Sequence, residues 1–342
     1  MHYSLGLDIG SHSIKLIELA YDKNTFTLAA AGSTPTPHQA LTSIIPADQE
    51  AVAHTIKKLL KDTGTKSRDV QIALPESKIF TRVIEVPALS DRELSTAIKW
   101  EAEQYIPLPL DQVNLDYTLL RDAKATGTNK MEVLLVAAPK TLLNIYLSIL
   151  ELAELTPLTA ETEVIATTRA LSRSLVNVKS VLVVSIGAQT TDLAILRGGI
   201  LTLTRSISAG GQALTRALAQ GLEFTQMQAE EYIKTYGLQQ DKLEGKIVAA
   251  VKPIMDTIIG EIRRSLAFYQ EKYRDDHVQL VVLSGGSSRI PGMVTTVAQS
   301  LGMEVQLANP WVGITRDKRF NVLTTEGPNF CVAVGLAFRT QQ

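Results

Sequence analysis

Apolar and polar positions fall into a pattern that recurs in the two halves of the chain. At the start, residues 4–9 are apolar around Asp8, a Gly-Ser turn follows, and residues 13–19 are apolar again. This reads as strand, tight turn, strand, with a third strand over 26–32. Apolar residues then stand at 52, 53, 56, 59 and 60, a helical spacing, with Asp48 near its start and Gly64 just past its end. "DVQIALP" (69–75) is a short strand. In the second half, "KSVLVVSIG", "TTDLAIL" and "ILTLTRSIS" predict three strands, and "GGQALTRALAQGL" enters a helix through two glycines. Helices follow over 225–237 and 247–273. "HVQLVVLSGGSSRIPGM" predicts a buried strand, a double glycine and then a helix, and "PNFCVAVGLAFRT" a closing helix.

Between these halves the pattern changes. "TRVIEVPAL" is a strand, and Ser90 with Glu93 three residues on forms a capping box for the helix that ends before Pro107. "LDYTLLRD" and "MEVLLVAAP" predict paired strands around the polar loop "AKATGTNK", and "KTLLNIYLSILELAEL" another helix. Residues 81–156 are expected to form an α+β subdomain of their own. The expected organisation is a first lobe of 1–80 plus 157–178, this insertion, and a second lobe of 179–342 with a helical part over about 212–275.

Composition narrows the class. The chain has 342 residues, 45% of them hydrophobic and 20% charged, which fits a folded protein with a substantial core. A net charge of −1 gives no basic excess for nucleic acid. One cysteine, Cys331, excludes an internal disulfide and fits a reducing compartment. The N-terminus has no signal-peptide pattern. The longest stretch without charge, Asn24 to Ala47, holds three prolines and is no membrane span. There is no GxxxxGK[ST] loop, and His2, His12, His38, His54 and His277 show no metal-ligand spacing.

The chemistry lies in the repeated hairpin. Laid on each other, "GLDIGSHSIKLIEL" (6–19) and "VVSIGAQTTDLAIL" (183–196) place Gly10 on Gly187 and Ser13 on Thr190. Glycines at such turns let backbone N–H groups converge on an anion, and Ser11, Ser13, Thr190 and Thr191 add hydroxyl donors. Asp8 is suited to hold a Mg²⁺ through water beside phosphates. Lys15 is either a solvated strand residue or a phosphate contact. Two such hairpins, one per half, would clamp a nucleotide between them.

With these motifs in this order, the chain resembles the actin-like ATPase superfamily over essentially its full length. The resemblance implies an α/β fold with two duplicated lobes around a nucleotide cleft, and ATP or ADP with Mg²⁺ as ligands. "DIGSHSIK" matches the first phosphate motif (Asp8, Gly10, Ser11, Ser13, Lys15). "SIGAQTTD" matches the second (Gly187, Ala188, Gln189, Thr190), and "LSGGSSRIPG" the adenosine motif (Gly285, Gly286, Ser287). "SAGGQALT" matches the turn at Gly210 and Gly211. "AEEYIK" supplies Glu231 and Lys234, a pair facing ribose and base in the superfamily, or alone a solvated ion pair. The insertion, "AIKWEAEQYIPLPLDQVNLDY" and the closing "VAVGLAFR" are similar to the PilM family of type IV pilus assembly, an FtsA-related branch. Because the chain stops at "GLAFRTQQ", the basic amphipathic membrane helix of FtsA is not expected.

What the resemblance implies about partners is a cytoplasmic scaffold, peripheral to the inner membrane. It would bind the N-terminal cytoplasmic tail of a PilN-type membrane protein in a groove where Trp100 and Tyr105 lie. Pilus motor ATPases and a second copy of the chain are further expected contacts. The competing expectations are an FtsA-like polymerising ATPase and a sugar-type kinase. One departure from the superfamily bears on these. Asp8 has Ser185 as its counterpart where an acidic residue is usual, and a neutral hydroxyl is a poor general base. Asp192 lies beyond the turn and is not expected to substitute. Hydrolysis is therefore expected to be weak or absent.

Overall fold

A computed structural model describes residues 2–23, 25–37 and 45–340. Residues 24 and 38–44 of the uncharged 24–47 stretch, His38 among them, lie outside the described residues. The first lobe opens with an antiparallel meander, β1 (His2–Ile9), β2 (Ser13–Asp22) and β3 (Thr25–Pro35). Helix α1 (Pro46–Thr63) then crosses over to β4 (Asp69–Leu74), which runs parallel to β1. The helix buries Val52, Ala53, Ile56, Leu59 and Leu60, the positions its apolar spacing selects. Gly64 closes it at φ 66°, a left-handed position open to glycine without strain.

The insertion follows: β5 (Phe80–Pro87), α2 (Asp91–Tyr105), β6 (Val113–Arg121), α3 (Ala123–Thr126) and β7 (Lys130–Pro139). Its antiparallel sheet has the order β5-β7-β6. The capping box forms, with Ser90 Oγ accepting from the Glu93 N–H and the Glu93 carboxylate accepting from the Ser90 N–H. Leu94, Ile98 and Ala102 of α2 then cover Ile84, Val86, Val133 and Leu135 of the sheet. The expected polar loop contains one helical turn, because Asp122 caps the Ala125 N–H at 2.7 Å and Gly127 ends it.

The chain returns to the first lobe through α4 (Lys140–Leu152), β8 (Thr156–Thr162) and α5 (Glu163–Leu171). The second lobe repeats the plan with β9 (Ser180–Ile186), β10 (Thr191–Arg197), β11 (Ile200–Ile207), α6 (Gly211–Gly221), α7 (Gln226–Thr235), α8 (Lys246–Lys272), β12 (Leu280–Ser284), α9 (Met293–Leu301) and β13 (Val305–Leu307). Strand order is β3-β2-β1-β4-β8 in one sheet and β11-β10-β9-β12-β13 in the other, the same order twice. The duplication seen in one hairpin thus extends to the whole sheet.

Two boundaries differ from the expected ones. Helix α4, placed with the insertion over 81–156, instead buries Tyr146, Ile149 and Leu150 in the first-lobe core beside Val52 and Ile56. The second lobe does not run to 342. Strand β14 (Ile314–Thr315) joins the first sheet by pairing with β3, and helix α10 (Gly327–Ala337) packs on β1, β2 and α5. The reason is that α10 is apolar all round and must be covered on every side. Its Phe330, Cys331, Ala333, Val334, Leu336 and Ala337 are all buried. Gly6 leaves room for this approach, since a Cβ there would collide with the Ala333 carbonyl. The helix expected straight after the double glycine also starts later: a 3₁₀ turn, Gly286–Arg289, comes first.

Candidate nucleotide cleft

In the first hairpin the Gly10 N–H donates to the Ser13 carbonyl at 3.2 Å, with Ser11 and His12 exposed at the tip. Thr36 Oγ1 donates to the Gly10 carbonyl at 2.6 Å, a support the sequence gave no sign of. Asp8 and Lys15 are direct cross-strand partners, and Lys15 Nζ lies 3.2 Å from Asp8 Oδ2. Both side chains are almost wholly buried. Lys15 is therefore not a solvated strand residue. Its ammonium sits behind the turn, where a Cβ on Gly10 would lie 3.8 Å from it.

The second hairpin closes in the same way, the Gly187 N–H donating to Thr190 at 2.9 Å. Its turn, Gly187-Ala188-Gln189, is stapled to the start of α6: the Gly211 N–H donates to the Gly187 carbonyl at 2.9 Å and the Gln212 N–H to Ala188 at 2.8 Å. Only a glycine fits at 210, since a Cβ would lie 2.7 Å from the Gly187 carbonyl and 2.8 Å from that of Ala188. The expected adenosine turn packs on the same hairpin, with Ser287 Oγ donating to the Gly187 carbonyl at 3.1 Å. Gly285 takes φ 82° there, and a Cβ would collide with the Ile186 carbonyl. Gly286 faces Asn329, whose Oδ1 would lie 3.1 Å from a Cβ. The fold thus packs 187–190, 210–211 and 285–287 into one turn cluster, where glycine is required because neighbouring backbone fills the space a side chain would take. The turns expected to meet phosphate and adenosine are adjacent, and Asp8, the expected Mg²⁺ carboxylate, is paired with Lys15.

The register of the second hairpin fixes the place of Asp192, which its sequence position left open. It is the direct cross-strand partner of Ser185, so the adjacent strand sets a carboxylate opposite that hydroxyl. Asp192 is buried, accepts hydrogen bonds from Ser206 Oγ and from Thr190 Oγ1 (3.2 Å), and burial pushes its carboxyl up to about 6. Two further carboxylates, both missed from sequence, share this rear wall. Glu163, the first residue of α5, lines a small cavity with Ser185, Thr167 and Asp192. Enclosure by protein, with Asp192 and Asp8 nearby, holds its carboxyl well above the usual range. Glu76, in the turn leading from β4 to the insertion, points its N–H at Glu163 Oε2 across 3.5 Å. Burial, then the charge of Asp192, raises its carboxyl to about 7. Glu76 was legible only as an acidic residue directly after a predicted strand, in "LPES", while Glu163, in "AETEV", followed no predicted strand.

The expected Glu231–Lys234 pair does not form. Lys234 Nζ instead bonds Glu230 at 2.6 Å, one turn back, while Glu231 is exposed. The Lys234 hydrogen bond lowers the Glu230 carboxyl, and the charge of His12 in the first hairpin adds to this. On the insertion, Trp100 is 70% exposed, whereas Tyr105 packs on the insertion core beneath the Arg82 guanidinium, 4.5 Å from its ring. Among the described residues no cluster of His, Cys, Asp and Glu forms a ready metal cage, and no helix is long and apolar enough to cross a membrane.

Two lobes with one strand order, and a glycine hairpin from each against a shared carboxylate wall, define an actin-like ATPase fold. Solved structures agree on the fold. The ethanolamine utilization protein EutJ from Carboxydothermus hydrogenoformans superimposes with a TM-score of 0.58 at 18% identity, covering 99% of this chain and 90% of that one. MreB5 of Spiroplasma citri bound to ADP gives 0.51 at 14% identity, covering 98% and 95%. The chain belongs to the PilM family: the profile described as type IV pilus assembly protein PilM matches residues 6–341. A solved PilM-PilN type IV pilus biogenesis complex contains a chain with a TM-score of 0.87 and 32% identity, covering 98% of both. Cell division protein FtsA of Bacillus subtilis (strain 168) is 23% identical over 381 residues, covering 97% of this chain and 82% of the relative.

Proposed function

We propose that this protein binds an adenine nucleotide with Mg²⁺ between its lobes and holds the N-terminal cytoplasmic tail of a PilN-type membrane protein. It would act as a scaffold of the type IV pilus assembly platform, on the cytoplasmic side and peripheral to the inner membrane. The observation that carries this reading is the full-length likeness to the chain in the PilM-PilN complex, at 98% coverage of both. The adjacency of the turns at Gly187, Gly211 and Ser287 supports the nucleotide part. Exposed Trp100 supports a docking face on the insertion. Contacts with pilus motor ATPases and with a second copy belong to the same proposal, and pull-down and sedentation of the full chain test them.

Hydrolysis is slow in this reading, for a reason other than the Ser185 substitution alone. Asp192, the carboxylate opposite Ser185, has both oxygens engaged by hydroxyls, and burial raises the Glu163 carboxyl and disfavours its ionised form. A base must be ionised and free to accept. Titration of ATP·Mg²⁺ into the protein, with phosphate release followed on the same sample, tests both halves. Tight binding with little release is the expected result. Steady turnover would favour the FtsA-like ATPase, and absence of binding would remove the nucleotide from the function.

A further inference from the structure

The three-stranded unit interrupts the first lobe in sequence, yet its polar fastenings reach the second. At one end Thr204 Oγ1 of β11 donates to the Thr81 carbonyl of β5 at 3.2 Å. At the other, Tyr273 Oη, just past α8, donates to Glu132 Oε1 of β7 at 3.1 Å, and Lys272 Nζ lies 2.9 Å from Glu85 of β5. Arg121 of β6 donates to the Arg197 carbonyl at 2.9 Å.

Glu132 makes this seam costly to open. It is 5% exposed, and its charge is met by Arg121 at 3.5 Å within the insertion and by Lys272 at 3.8 Å from the second lobe. A buried carboxylate that loses part of its partners is strongly disfavoured. The second lobe therefore cannot slide from the insertion without uncovering or unpairing Glu132. The roots of the insertion lie on the first lobe, at Pro139 and at the turn beginning with Glu76. Glu76 touches Glu163 in the cleft wall, and Thr81, five residues further on (81 − 76), already belongs to the seam. A short covalent path thus joins the cleft to the seam.

We propose that the insertion is a strap across both lobes, through which occupancy of the cleft is transmitted to the insertion's exposed helix face, with Glu76–Thr81 as the link. The proposal rests on nucleotide binding in the cleft. Any change in the angle between the lobes must shear the seam or turn the insertion on its roots. By linkage the effect is reciprocal: weakening the seam alters nucleotide affinity although the seam lies outside the turn cluster.

Hydrogen exchange of the full chain, with and without ATP·Mg²⁺, reads the transmission, and calorimetry on the same protein reads binding. The wild-type protein is expected to gain protection in both hairpins and also in 80–87 and 130–139. Combined Tyr273→Phe and Lys272→Ala should abolish the response of the insertion while the hairpins still respond. It should also change ATP affinity by about three- to tenfold. Thr204→Val, which removes one half-buried hydrogen bond, is the second variant should the double one not fold, and is expected to weaken the response in the same direction. ATP binding with no change in the insertion overturns the strap, as do seam variants that respond like the wild type. If calorimetry shows no ATP binding to the wild type, the nucleotide reading fails and the strap falls with it.

Discussion

Glu76→Gln should make the nucleotide-free protein more stable, and only above a definite pH. The Glu76 carboxyl is buried, its Oε2 has no hydrogen-bond partner, and Asp192 adds like charge. Burial therefore moves its titration from the ordinary 4.5 to about 7. Between those values the folded chain keeps a proton that the unfolded chain has released, so stability falls as pH rises through the window. Below it the group costs nothing, and above it the full penalty is present. At about 1.4 kcal/mol per pH unit, that penalty is about 3 kcal/mol. Glutamine removes the ionisation and keeps the shape. Urea denaturation at pH 4, below the window, should show wild type and variant within about 0.5 kcal/mol, and at pH 8 the variant more stable by about 2–3 kcal/mol. An equal effect at both pH values, or a loss at pH 8, would refute the buried-carboxylate reasoning.

Other expectations follow from the same geometry. Gly210→Ala forces a Cβ against two carbonyls and breaks the staple of α6 on the second hairpin. Two hydrogen bonds at about 1 kcal/mol each give a loss of about 2 kcal/mol, measurable in urea and as weakened nucleotide binding by calorimetry. Ser185→Asp places a second carboxylate directly opposite Asp192 in a buried pair, so it should lower the melting temperature above pH 6 and leave phosphate release unraised. Trp100→Ala should leave stability within about 0.5 kcal/mol, because the side chain is 70% exposed, while weakening capture of a PilN tail peptide in fluorescence anisotropy.

Helix α1 shows how much of the fold was legible. Its five buried residues are those its spacing predicted, because a helix on a sheet has one face to cover and local period alone defines that face. The capping box on α2 was equally readable, since Ser90 and Glu93 meet within one turn. The hairpin glycines were visible for the same reason, their conformational freedom being a local property.

Glu163, Glu76 and the pairing of Lys234 with Glu230 were not legible. Which carboxylates share a wall depends on how α5, the β4 exit and β10 are brought together, and nothing local encodes that. Asp192 is the plainest case. The number of residues between it and Ser185 was known, but strand register across the turn, set by the packing of both faces, decided that they stand opposite. The return of α10 to the first lobe was likewise a matter of the whole core: an all-apolar helix says that it must be buried, and only the assembled sheets say where. The sequence by itself determined most of the elements, the repeat and the glycine hairpin turns, because these follow from short-range periodicity and glycine geometry. The tertiary structure alone decided the carboxylate wall, the polar seam between the insertion and the second lobe, and the side on which α4 and α10 pack, because each joins residues far apart in the chain through burial and charge.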